Sequence, residues 1–139
     1  MTLRRPSGTP PPATAQIDGT ATQLAPLATT ICERYRLEFP DEAGRYGDAG
    51  NAWCRHDNQW LLSWAVSDVL GVTDLGEQVR WLARVLHARG FPLARLVRDL
   101  EIAAELVAHG AFGAASAAVA ERLTAAAIVV AGMDLLGAP

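Results

Sequence analysis

The stretch from Tyr46 to Ser67, YGDAGNAWCRHDNQWLLSWAVS, gathers side chains suited to holding a ligand. Three of the four tryptophans are here, and Trp53, Trp60 and Trp64 recur at i, i+7 and i+11, which places them on one helix face. His56 lies one turn before Trp60, and Asn51, Asp57, Asn58, Gln59, Ser63 and Ser67 lie around the rings. Aromatic planes supply contact area and a few polar groups fix orientation, which is what a small-molecule pocket needs. Tyr46, Trp53, His56, Trp60, Ser63 and Trp64 are therefore the candidate ligand-binding residues. The competing reading is core packing, because large rings at helical spacing also supply apolar area to an interior.

Other spacings point to less chemistry. Cys54 and His56 are both zinc-ligand types, but residues two apart on a helix point in different directions. Cys32 is the only other thiol, no CxxC or HxxxH clamp exists, and no metal site is expected. His56 and Asp57 are adjacent, so on a helix they should diverge rather than form a catalytic pair. Glu101, Glu105 and His109 follow at i, i+4 and i+8, without the Glu-x-x-His spacing of di-iron bundles. With Asp99, Arg95 and Arg98 they read as a solvated face with i, i+4 pairing. All twelve basic residues are Arg. The absence of Lys removes Schiff-base and phosphate-loop lysine chemistry. No Ser or Cys sits in a strand-turn elbow, and the sequence points away from an enzyme.

His87 stands in Leu86-His87-Ala88-Arg89-Gly90-Phe91-Pro92-Leu93. This resembles the stretch of truncated globins in which the haem-ligating His is followed closely by an aromatic residue and the next helix. The resemblance implies His87 as an axial haem ligand, with the Trp60 helix covering the distal side. Tyr35 and Phe39 are too close together to fill both of that family's distal aromatic positions. The Trp and His content is also similar to the helical caps that cover cobalamin in B12-dependent sensors and carriers, whose Rossmann-like partner domain has no counterpart here.

Helices must position these residues. Residues 1–19, with Pro6, Pro10, Pro11 and Pro12, read as a disordered Pro/Ala/Thr-rich leader, because they bury too little to offset their ordering entropy. Residues 20–139 read as a single helical domain, and no period-two alternation stands out. The first helix is predicted over about Gln23–Glu38, capped by Thr22 and ended by Phe39-Pro40. A Gly-spaced stretch from Asp41 to Gly50 follows, then a helix over about Asn51–Leu70. The third helix opens at Asp74, with Glu77 three residues on in a capping-box arrangement, and ends at Gly90. The fourth opens at Pro92 and closes at His109-Gly110. The fifth, about Ala111–Leu135, is apolar nearly all round, so it is a central core helix or a homodimer interface. Gly90-Phe91 leaves little room, so the third and fourth helices should form an antiparallel hairpin. The fold expected is all-α: a compact bundle of four to five helices, up-and-down or globin-like and cross-packed.

Composition narrows the function classes. The chain has 139 residues, 50% hydrophobic and 19% charged, with a net charge of -3. That suits one folded domain and carries no basic patch for nucleic acid or a membrane surface. The longest uninterrupted apolar run, Ala125–Ala131, is short of the ~20 residues that span a bilayer. The N-terminus lacks the apolar core of a secretory signal, and a cytoplasmic location with reduced thiols is expected. The function expected is a non-catalytic regulatory, sensor or protein-interaction module binding a small ligand or a protein partner. The alternatives are a haem- or other tetrapyrrole-binding domain using His87 or His56, and an assembly domain that homodimerises through the C-terminal apolar helix.

Overall fold

The computed structural model describes residues 3–133. Within them a two-stranded hairpin, β1 (Thr14–Ile17) and β2 (Thr20–Gln23), precedes five helices. These are α1 (Leu24–Glu38), α2 (Glu42–Val69), α3 (Leu75–Ala88), α4 (Leu93–Val107) and α5 (Ser116–Ala131), the last entered through a 3-10 turn at Gly113–Ala115. The architecture is a compact, mostly helical bundle.

The hairpin lies where the sequence reading placed part of the leader and the cap of the first helix. Asp18 and Gly19 both adopt positive φ, 49° and 76°, which is the two-residue turn that matches strand twist. The strands pair antiparallel from Thr14↔Gln23 to Ile17↔Thr20, and Ile17 enters the core. Thr22 does not cap α1. Its hydroxyl donates to the Ala111 carbonyl at 2.8 Å and ties the hairpin to the α4–α5 link. The same link is held by Phe112, fully buried, whose backbone N–H donates to Ser116 Oγ at 2.9 Å.

Helix ends follow local rules elsewhere. The Asp74 side chain accepts from the Glu77 backbone N–H at 3.2 Å, the expected cap of α3. Helix α2 starts earlier than expected, at Glu42, and is broken at Gly47 (φ 64°, ψ -159°). The Gly-spaced stretch is thus a first helical segment set at an angle to the rest.

Core packing differs from the expected α3–α4 hairpin. Helix α4 packs chiefly along α5, α1 packs along α2, and α3 leans on α5 more than on α4. Phe91, between α3 and α4, lines a cavity at their connected ends. Helix α5 spends its apolar face inside the fold through Val119, Leu123, Ala126, Ala127 and Val130, while Glu121, Arg122, Thr124 and Ile128 face outward. Gly113–Ala131 is, among the described residues, the one helical stretch long and apolar enough to cross a membrane, and 44% of it is buried in the bundle. The expected continuation of this helix to Leu135 lies outside the described residues.

Candidate functional site

The cavity between α2, α3 and α4 has a volume of about 150 Å³. Its walls are Tyr35 of α1, Tyr46, Trp53 and Leu61 of α2, Leu82 and Leu86 of α3, and Phe91 and Leu96 at the start of α4. Tyr46 reaches the wall because Gly50 stands one turn on. A Cβ at residue 50 would overlap the Tyr46 Cβ, so only glycine permits this close approach. The Tyr46 ring lies 6.2 Å from that of Phe91.

Polar groups at the cavity fall into three sets. Deepest are Asn58 and Asp99, 2% and 6% exposed. Asn58 Nδ2 donates to Asp99 Oδ1 at 2.9 Å and to the Cys54 carbonyl at 3.0 Å. It also lies 3.5 Å from Cys54 Sγ and 3.6 Å from Cys32 Sγ. Two acceptors beside Nδ2 fix the orientation of the amide, and Asn58 Oδ1 is left buried without a partner among the described residues. Burial drives the Asp99 carboxyl up to about 7. The Asn58 hydrogen bond opposes that rise, and the nearby Asp57 charge adds to it. Asp99 has no ion-pair partner among the described residues. The Cys54 thiol is held well above its ordinary range by hydrogen bonding with Cys32 and by burial.

The second set closes one end. Tyr35 Oη donates to Glu42 Oε1 at 2.8 Å, and Arg95 donates to Glu42 Oε2 at 2.8 Å and to Asp41 at 3.0–3.1 Å. Burial, then the hydrogen bond to Glu42, pushes the Tyr35 phenol far up. The Arg95 guanidinium lies 4.6 Å from the Phe39 ring centre. The third set is at the mouth. His56 Nδ1 lies 3.1 Å from Asp57 Oδ1, so these neighbours do meet, contrary to the divergence expected of adjacent helical residues. The short aspartate side chain reaches the ring nitrogen nearest the backbone. The Asp57 carboxyl is raised by burial against the pull of His56 and Arg89. The His56 ring packs edge-on to Trp53 at 5.2 Å, and Arg89 lies 5.5 Å from the Trp53 ring centre on the other side.

The N-terminal segment crosses this mouth. Leu3 lines the cavity, the Trp53 indole N–H donates to the Arg4 carbonyl, and Gln59 Nε2 donates to the Pro12 carbonyl at 2.8 Å.

Of the residues picked out in sequence, Tyr46 and Trp53 line the cavity, and His56 braces Trp53. Trp60 and Trp64 stack on each other at 5.8 Å outside the lining, and Ser63 is half-buried beside them. His87 is exposed in the last turn of α3, where Leu86 and Arg89 reach the cavity instead. Glu105 pairs with Arg34 of α1 at 2.7 Å and with Arg98 at 3.3 Å, so the network ties α4 to α1 and does not use the i, i+4 pairs expected. Asp99 departs from that reading. It follows Leu96 by three and precedes Ala103 by four, so it belongs to the buried stripe of α4 and not to the solvated face. That spacing was the available signal for Asp99, as Cys54–Asn58–Leu61 was for Asn58.

No family model matches this chain, and neither a curated protein nor a solved structure matches it.

Proposed function

We propose that this chain is a non-catalytic helical regulatory module, a sensor that binds a small molecule in the cavity beneath Trp53 and reports occupancy through its N-terminal segment. The observation that carries the reading is Leu3 in the cavity lining, on a segment tethered by Trp53 and Gln59. Leu3 is one wall of the cavity, so a ligand that fills the cavity packs against it and gains contacts only while the segment is in place, which is the differential contact that a population shift requires. The two hydrogen bonds contribute about 1 kcal/mol each. Half-burial of one leucine adds about 1 kcal/mol. The strap is thus held by about 3 kcal/mol in all, and a ligand whose contacts with Leu3 favour the strapped state by about 1.4 kcal/mol shifts that equilibrium tenfold. The high thiol and phenol pKa values of Cys54 and Tyr35 leave both uncharged and weakly nucleophilic at neutral pH, which favours binding over covalent chemistry. The cytoplasmic location expected from the sequence goes with this proposal.

The test uses ring-sized probes (phenol, toluene and benzylamine) against the full chain. Binding should raise the melting temperature. It should also move the Trp53 indole N–H resonance further from its position in a variant lacking residues 1–12, because the occupant holds the segment in place. A panel in which no probe binds defeats the cavity reading. Binding that leaves the Trp53 resonance in place defeats the reporting role alone.

A further inference from the structure

Asp99 lines the cavity with one hydrogen bond and no cation among the described residues, and Asn58 Oδ1 beside it is fully enclosed with no donor among them. Of the donors deep in the lining, Tyr35 is engaged on Glu42, and Arg95 on Glu42 and Asp41. Buried acceptors without donors carry a desolvation cost that a ligand donor relieves. Tyr46, Trp53 and Phe91 line the same space, and aromatic rings attract cations.

Resting on the cavity reading, we propose that the occupant is a small organic cation: a primary ammonium on a ring-sized apolar body, with the ammonium on Asp99. An apolar cavity of about 150 Å³ holds one benzene-sized body, and the ammonium supplies the charge and the N–H donors that Asp99 lacks. A carboxylate-bearing ligand would face Glu42, Asp57 and Asp99, while Arg95 is held in its ion pairs and Arg89 lies over the Trp53 ring, away from the Asp99 floor. Affinity for the cation follows the ionisation of Asp99. The charged and titratable groups around it are Tyr35 of α1, Glu42, Cys54 and Asp57 of α2, Arg89 beyond α3, and Arg95 of α4.

The experiment is calorimetric titration of the full chain with benzylamine, benzyl alcohol and benzoate at pH 5.5 and pH 8. Benzylamine should bind at least tenfold more tightly than benzyl alcohol at pH 8, with benzoate weakest. That preference should shrink several-fold at pH 5.5, where Asp99 takes up a proton. Asp99→Asn should level benzylamine with benzyl alcohol at both pH values. If benzyl alcohol equals benzylamine, or benzoate binds best, the cation assignment fails and the cavity reading survives. A preference that persists in Asp99→Asn, or that is equal at both pH values, overturns Asp99 as the counter-charge. If no probe binds, both readings fail.

Discussion

Asp99→Asn should make the protein more stable at alkaline pH. The carboxyl is buried beneath the cavity, with Asn58 as its one hydrogen-bond partner among the described residues and no cation. Its pKa rises from 3.8 to about 7 on folding. A raised carboxyl pKa means that the folded state binds the proton more tightly than the unfolded state, so stability falls as pH rises between the two values. At ~1.4 kcal/mol per tenfold change, that rise corresponds to about 4 kcal/mol lost between pH 4 and pH 8, taken as an upper bound. The asparagine amide has the shape of the protonated acid and carries no charge, so the variant should exceed the parent by only about 1 kcal/mol near pH 4.5 and by up to about 4 kcal/mol at pH 8. Glu38 and Asp41 have the opposite sign. Arg98 and Arg95 hold their carboxyls low, and any stability they add is lost only as pH falls through the acid range. Asp57, also raised by burial, leaves a smaller residual slope in the variant. The assay is urea unfolding at pH 4.5, 6, 7 and 8 for both proteins. Parallel stability–pH curves for parent and variant would refute the assignment of an unpaired buried carboxyl.

Two further substitutions probe the walls. Trp53→Ala should cost about 1–2 kcal/mol in urea unfolding, below the 3–5 kcal/mol of a fully buried ring, because the indole is half-buried at the mouth; a cost above 3 kcal/mol would place it in the core. Gly50→Ala should cost about 1–3 kcal/mol and weaken every cavity probe together, since the new methyl displaces Tyr46 from the wall. Unchanged probe affinity there would show that Tyr46 does not shape the cavity.

Most helix positions were legible because their signals are local. Asp74 with Glu77, Phe39-Pro40 and the periodic leucines of α3 and α4 each act within a turn or two. The hairpin was missed because its eight strand residues carry Thr and Ala rather than a clear alternation, although Asp18-Gly19 is the strongest short hairpin signal available. The α3–α4 relation was misjudged because link length limits how far apart two helix ends lie, but not which helices share the longest interface. Phe91 fills the space at that link, and α5 supplies the apolar face that α4 packs against.

The tryptophan stripe shows why a shared face is not a shared site. Residues 53, 60 and 64 align around the helix axis, but seven residues advance the chain about 10 Å along it and eleven advance it about 16 Å. Trp53 meets the cavity, whereas Trp64 packs against the core. The lining runs on through Cys54, Asn58 and Leu61, and Leu61 stands about 100° around the helix from Trp60, so direction as well as height decides which residue reaches the site. Gly47 breaks α2, and Tyr46 beside the break lies 6.2 Å from the Phe91 ring. The polar floor follows from the same geometry. Where α3 and α4 diverge, the apolar stripe of α4 loses its facing partner at Asp99, and the carboxyl meets Asn58 from α2. A leucine at position 99 would close that gap with apolar packing, and its presence as an aspartate is the feature that the cation proposal explains.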